Sequence, residues 1–196
     1  MAEITIEQIK KLKELSGVGL TDAKKALVEA DGDFDKALEA MRKKGLTKAE
    51  KRGDRETREG LIESYIHDGR LGAIVEVNCE TSFVAKTDEF KTLAHQIAMQ
   101  VASMNPLYVS EADIPEADMA AKRAELEANF KGPENMKDQI ISGHIKKAFA
   151  DKVLLSQPYI LDDTKTIEQF IKDNIAKTGE NITVRQFKRI ELGVTE

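Results

Sequence analysis

The sequence has little of what disulfide-bonded or aromatic-rich proteins need. Its 196 residues include one cysteine, no tryptophan and only 5% aromatic residues. Because a single cysteine cannot form an internal disulfide, this composition is typical of a protein in a reducing compartment. The scarcity of aromatics, together with 33% charged residues, favours a helix-rich soluble protein with a modest core.

Long apolar runs and targeting segments are also missing. No run approaches the roughly 20 residues that a membrane crossing requires. The first four residues contain an early acid, and they lack both the apolar centre of a secretory signal and the Arg-rich character of a transit peptide. We therefore expect a cytoplasmic protein without membrane contact.

The balance of charge disfavours a general nucleic-acid binder. The net charge is -5, whereas phosphate contacts need clustered Lys and Arg. The exception is the stretch from Arg42 to Arg58, where eight basic residues stand against three acidic ones. We interpret it as a solvated linker, since its charges are mixed and no aromatic side chain is available to stack on bases. The alternative is an RNA- or ribosome-associated protein that binds through this stretch.

Residues 1–46 predict a small domain of three short helices. Thr5 and Gln8 form a capping-box pattern before the first helix. Glycine-containing turns at residues 17–19 and 31–33 separate the helices, and Gly45 is expected to end the third one. Residues 47–60 have no apolar periodicity and predict a charged, partly helical linker.

Residues 61–196 predict a core domain of mixed structure. Asp68-Gly69 between two strand patterns indicates a β-hairpin, because a type I′ turn needs positive φ. A third strand is expected over residues 181–192, with a bulge between Val184 and Phe187. Helices are predicted over residues 83–104, 116–131, 134–153 and 167–177. The fold class is therefore α+β, with a helical domain followed by a three-stranded antiparallel sheet packed with helices.

Reactive side chains form no convincing catalytic or metal site. Cys79 lies on the apolar face of its strand pattern, where a thiol is usually buried and inert. Nothing in the sequence places His67, His95 or His144 beside it, and the histidines lack the spacing of metal ligands. A thiol enzyme that uses Cys79 is a minor alternative. The sequence favours a protein that binds another protein, with no enzymatic activity, metal or cofactor of its own.

The most informative stretch is Cys-Glu-Thr-Ser-Phe-Val-Ala-Lys, residues 79–86, where an apolar strand pattern runs into a helical one. A corner of this kind exposes side chains with fixed geometry. Phe83 sits at the corner, before the apolar stripe of the helix begins. Periodicity alone favours Phe83 as a core residue over Phe83 as a contact residue.

Three segments carry a resemblance to the elongation factor Ts family. Residues 12–27 resemble its N-terminal signature, residues 77–86 its second signature and residues 179–182 its C-terminal motif. They occur in the family's order and span nearly the whole chain. The length is similar to the short form of the family, which has one core subdomain. The resemblance implies that residues 1–46 are a ubiquitin-associated-like domain.

The resemblance implies guanine-nucleotide exchange on elongation factor Tu, the GTPase that delivers aminoacyl-tRNA to the ribosome. Phe83 matches the phenylalanine that wedges into the GTPase near its magnesium-binding region. Thr81, Ser82 and Val84 belong to the same Mg²⁺-displacing segment. Loss of Mg²⁺ coordination would loosen GDP, which GTP then replaces.

The resemblance also assigns partner contacts and an oligomeric state. Lys13, Leu20 and Thr21 match the positions through which the helical domain docks on the GTPase, although Thr21 replaces a residue that is often apolar. Ser82 stands where the family usually has Asp, and we expect it to cap the helix that follows. A homodimer is implied for the short form. The C-terminal strand is the expected interface, because an edge strand can pair with its twin.

Overall fold

The computed structural model describes residues 4–16, 19–50 and 52–194. Helices and a three-stranded antiparallel sheet are combined in one chain, which confirms the α+β class. The elements are α1 (Ile6–Ser16), α2 (Leu20–Glu29), α3 (Phe34–Glu50), β1 (Glu59–His67), β2 (Leu71–Cys79), α4 (Ser82–Ala85), α5 (Asp88–Met104), α6 (Glu116–Ala128), α7 (Lys137–Ala150), β3 (Pro158–Tyr159), β4 (Asp162–Thr166), α8 (Ile167–Thr178) and β5 (Ile182–Glu191). In the described part of the chain, no helix is long and apolar enough to cross a membrane.

The chain forms two compact units, each built from three separate segments. The first comprises Met1–Ile62, Glu76–Ala94 and Gln169–Val184, and the second comprises Glu63–Val75, His95–Glu168 and Arg185–Glu196. The division of the chain into domains 1–46 and 61–196 with a linker at 47–60 stays a prediction.

Helices α1 to α3, which we call the head, share a small apolar core. The predicted capping box is present at the start of α1. Gln8 donates its N–H to Thr5 Oγ1 over 3.2 Å, and Thr5 donates its N–H to Gln8 Oε1 over 2.9 Å. The buried residues are Ile9, Leu12, Ala23, Ala26, Leu27, Ala37 and Met41.

The prediction that Gly45 ends the third helix is wrong. Helix α3 continues through it to Glu50, so the first residues of the predicted linker are helical. A glycine inside a helix costs only about 1 kcal/mol relative to alanine. The Lys, Leu, Ala and Glu residues around Gly45 have high helix propensity, and the helix therefore does not stop there.

The predicted hairpin is present, with β2 between β1 and β5 in the sheet. Asp68 and Gly69 have φ of 50° and 65°, as the turn prediction requires. Gly60 in β1 has φ of 154°, and a Cβ atom there would overlap the carbonyl oxygen of Val77. Only glycine therefore allows the two strands to approach at this point.

The burial of β5 changes phase along the strand. Ile182 and Val184 are buried, Arg185 and Gln186 are both exposed, and Phe187 is half-buried. This slip lies where the sequence pattern placed one. The bulge inferred from it stays a prediction.

The single helix expected over residues 83–104 is divided in two. α4 ends at Ala85 and α5 begins at Asp88. Thr87 makes the break, because its hydroxyl donates to the Val84 carbonyl over 2.8 Å and accepts the Phe90 N–H over 3.3 Å. A threonine that satisfies both helix ends in this way competes with a continuous helix.

The second unit contains a helical hairpin and a polar bridge. Helices α6 and α7 pack against each other over a core at Ile114, Ile141, Ile145, Phe149 and Val153. Gln100 and Gln157 are fully buried and joined by a 3.1 Å hydrogen bond. The short pair β3–β4 was not predicted from the sequence, since its residues are few and mostly polar.

Candidate protein-binding site

The Phe83 corner, residues 79–87, presents one large apolar side chain to solvent. Phe83 is 79% exposed, whereas its neighbours Val84 and Ala85 are 7% and 8% exposed. The periodicity argument for Phe83 as a core residue is therefore wrong. Val84 and Ala85 are buried, whereas Phe83 between Ser82 and Val84 faces solvent.

Thr81 caps the short helix α4. Its hydroxyl accepts the Val84 N–H over 3.4 Å. The expectation that Ser82 fills this position is wrong, because Ser82 is the first residue of α4 itself and is exposed. A helix of four residues is too short to show a periodic pattern. The sequence therefore could not show whether Thr81 or Ser82 is its N-cap.

Glu180 holds Thr81 through two hydrogen bonds. Its Oε1 accepts from the Thr81 hydroxyl over 2.6 Å, and its Oε2 accepts from the Thr81 backbone N–H over 3.0 Å. Glu180 follows Gly179, whose φ of 80° ends α8. A residue 99 positions away in sequence thus fixes the start of the corner.

A second set of hydrogen bonds joins the same corner to the segment before β1. Glu80 Oε1 accepts the Asn181 N–H over 2.6 Å, and the Arg55 guanidinium lies 3.4 Å from the Glu80 carboxylate. The Asn181 side-chain amide donates to the carbonyls of Gly53 and Arg55 over 3.1 and 2.8 Å. Three segments distant in sequence are therefore tied together behind Phe83.

Cys79 belongs to the framework of the corner. It is fully buried, and its Sγ donates to the Thr81 carbonyl over 3.2 Å. Burial, reinforced by the negative charge of Glu180, raises the pKa of the Cys79 thiol to about 11. A buried thiol that stays protonated at neutral pH is a poor nucleophile, which argues against Cys79 as a reactive residue.

The head residues singled out from the sequence lie on either side of the α1–α2 connection. Lys13 is exposed in the last turn of α1. Leu20, the first residue of α2, is 50% exposed, and Thr21 beside it is also exposed. All three side chains are accessible to a partner.

Sequence reasoning missed the roles of Glu80, Glu180 and Asn181. The last two lie in the segment that carries the family's C-terminal motif, but the sequence gives no sign of which groups they bind. Only the position directly after a helix-ending glycine could have drawn attention to Glu180.

Comparison with known proteins places these features in a family. The sequence model described as "Elongation factor TS" matches residues 7–194. The chain belongs to the elongation factor Ts family. It is 50% identical over 194 residues to elongation factor Ts of Thermotoga sp. (strain RQ2), covering 97% of each chain.

Other members of the elongation factor Ts family align over most of their length too. The protein of Synechocystis sp. is 49% identical and that of Rippkaea orientalis is 50% identical, with 91% and 80% of their lengths covered. The chain is therefore a translation elongation factor, and the matched region contains the Phe83 corner and all of the head except Ile6.

Proposed function

We propose that this protein promotes the release of GDP from elongation factor Tu by inserting Phe83 beside the magnesium-binding region of the GTPase. The observation that carries the proposal is the 79% exposure of Phe83 on a corner held by hydrogen bonds. Loss of Mg²⁺ coordination weakens GDP binding, and GTP then enters. The protein catalyses no chemical reaction in this role.

The energetics suit a wedge. Burying a phenylalanine side chain contributes about 1.5–3 kcal/mol, and an aromatic ring has few rotatable bonds to immobilise. By linkage, a factor that weakens GDP binding is itself weakened by GDP to the same extent. A wedge that is already held in position before binding acts best, because none of its binding energy is then spent on ordering the corner.

The head supplies a second contact. Lys13, Leu20 and Thr21 are exposed at one end of the head, where they can dock on the nucleotide-binding domain of the GTPase. Leu20 offers the apolar surface of this group. Such a contact binds substrate and product forms of the GTPase alike, and so it sets affinity more than exchange rate.

A homodimer is the second part of the proposal. β5 is an edge strand of the sheet. Ile190 near its end and Leu192 just after it are 77% and 62% exposed. Pairing with a second copy would cover these side chains and continue the sheet past its edge strand.

The structure describes the side chains of four of the eight basic residues in the basic stretch, and these four give no support to RNA binding as the main activity. Lys43 and Arg58 form ion pairs with nearby glutamates, Arg55 pairs with Glu80, and Arg52 donates to the Ile175 carbonyl. The glutamate partners reduce the positive charge that Lys43, Arg55 and Arg58 offer to phosphates. We propose that this segment makes no direct nucleic-acid contact.

The test is the release of fluorescent GDP from purified elongation factor Tu. Phe83→Ala should slow stimulated release by about tenfold or more, the equivalent of at least about 1.4 kcal/mol. Leu161→Ala is the matched control, since Leu161 is also exposed, at 57%, but lies far along the chain in the second unit. Undiminished exchange by Phe83→Ala would refute the wedge.

A further inference from the structure

The Phe83 corner is short, and its own residues do not explain why it holds one conformation. α4 has only four residues, Ser82–Ala85. An isolated helical turn of this length is unstable in water, because nucleation fixes several dihedrals for one hydrogen bond. Something outside the turn must therefore hold Phe83 in place.

We propose that Glu180 is a positioning residue for Phe83, acting through Thr81. The inference rests on the proposed function of Phe83 as a wedge and extends it to a residue in a different segment. Glu180 accepts both hydrogen bonds that Thr81 can donate, from its backbone N–H over 3.0 Å and its hydroxyl over 2.6 Å. Once its proton is committed to Glu180, the hydroxyl oxygen of Thr81 faces the Val84 N–H, 3.4 Å away, as acceptor.

This arrangement needs a carboxylate. Both bonds to Glu180 have a charged acceptor, which makes them stronger than bonds between neutral groups. A glutamine amide has one acceptor oxygen, and its nitrogen can only donate, so it cannot accept from the Thr81 N–H and hydroxyl at two separate atoms. Glu180→Gln therefore breaks the arrangement with little change in side-chain volume.

Glu180 is itself held on both sides. Its N–H donates to the Thr178 hydroxyl over 3.3 Å, at the end of α8. The next residue, Asn181, donates its backbone N–H to Glu80 and its side-chain amide to the carbonyls of Gly53 and Arg55. The carboxylate is thus presented from a fixed backbone, which is the condition for a positioning role.

The first measurement concerns the free protein. Amide hydrogen exchange at Val84, Ala85 and Lys86 should be at least about tenfold faster in Glu180→Gln than in the wild type, because these amides donate within the turn that Thr81 starts. Glu116→Gln, an exposed change in the first turn of α6 with the same loss of charge, should leave them unaltered. Unchanged protection in Glu180→Gln would overturn the inference.

The second measurement is a double-mutant cycle with Phe83→Ala, read as stimulated GDP release. If Glu180 acts through Phe83, Glu180→Gln slows release about fivefold in the wild type and less than about twofold in the Phe83→Ala background. An equal loss in both backgrounds would overturn the inference, since Glu180 would then contact the GTPase or stabilise the whole unit.

Thr81 provides the matched pair of variants. Thr81→Val keeps the shape but removes the hydroxyl, and should reproduce the effect of Glu180→Gln on both measurements. Thr81→Ser keeps the hydroxyl, so its amide protection and its stimulated GDP release should both stay near wild-type values. Failure of the serine variant to keep them would contradict a role for this hydrogen bond.

The two proposals fail in different ways. If Phe83→Ala retains full exchange activity while Glu180→Gln still loosens the corner amides, the wedge is refuted and the positioning of the corner by Glu180 stands. If Phe83→Ala is defective but Glu180→Gln leaves the amides protected, the wedge stands and the positioning role is refuted.

Discussion

The head and the Phe83 corner present exposed side chains on two different kinds of support. In the head, the capping bonds join residues three positions apart, such as Thr5 with Gln8 and Asp33 with Lys36. At the corner, hydrogen bonds join Thr81 to Glu180 and Arg55 to Asn181, which are 99 and 126 positions apart. The head is thus specified locally, whereas the corner exists only when distant segments have met.

This difference suits the two proposed tasks. A docking surface such as Leu20 on α2 tolerates small adjustments, since many geometries bury the same apolar area. A wedge that must displace one side of a nucleotide pocket has to arrive at a defined angle, since small misplacements are costly. The long-range hydrogen bonds at the corner provide that definition.

The largest effect on stability should come from Phe90, the buried phenylalanine that follows the corner, and a much smaller one from the exposed Phe83. Phe90 is 1% exposed in α5, and Phe90→Ala should lower the free energy of unfolding by about 3–5 kcal/mol, because it leaves a cavity. Phe83→Ala should change it by less than about 0.5 kcal/mol. Urea unfolding measures both. Similar losses for the two variants would contradict the view of Phe83 as a surface residue on a preformed corner.

A core variant of the head tests whether the head is supported independently of the corner. Leu27 is fully buried, and Leu27→Ala should cost about 2–5 kcal/mol of local stability. Hydrogen exchange should show lost protection across α1 to α3 and unchanged protection at Ala85 and Lys86. Loss of protection at the corner as well would mean that the two regions unfold together.

Alkaline pH should weaken the corner through Cys79. Its pKa is raised from 9.0 to about 11 in the folded protein, so above pH 9 the unfolded chain loses a proton that the folded one keeps. The contribution of the protonated Cys79 thiol to the free energy of unfolding is fully present below pH 9. It should be lost, by up to about 2 kcal/mol, as the pH rises to 11. Denaturation from pH 7 to 11 measures it. Cys79→Ala should lack this component, and an identical pH dependence in both proteins would contradict it.

The smallest effect is expected at the head surface. Leu20→Ala should weaken the affinity for nucleotide-free elongation factor Tu about fivefold, or about 1 kcal/mol, and leave the maximal exchange rate unchanged. Val28→Ala, at the other end of α2 and 56% exposed, is the control and should have no effect. A lower maximal rate in Leu20→Ala would show that the head, too, takes part in exchange.

Local features were predicted well because short-range chemistry decides them. Asp68-Gly69 predicted a turn, since few other residues adopt positive φ at two successive positions. Thr5 and Gln8 predicted a helix start for reasons contained within a few residues. The third helix was an exception, because Gly45 offered a stop that its neighbours' helix propensity overrode.

The candidate site was predicted only in outline. The family signatures drew attention to Phe83, but periodicity assigned it to the core, and Ser82 was taken for the cap that Thr81 provides. The break at Thr87 was missed because a threonine inside an apolar pattern reads as helix until its hydroxyl is seen to satisfy both ends. The exposure of Phe83, the cap at Thr81 and the break at Thr87 would each change if the helix started one residue earlier or later. Tertiary contacts decide where it starts.

The sequence by itself determined the α+β class, the hairpin, the helical head and, through its three signatures, the family. Those conclusions rest on propensity, spacing and patterns repeated along the chain. The tertiary structure decided that Phe83 points to solvent and that the Glu180 carboxylate accepts two hydrogen bonds from Thr81. The physical reason is that both depend on which distant groups lie within hydrogen-bonding distance of residues 79–87, and sequence spacing does not contain that information.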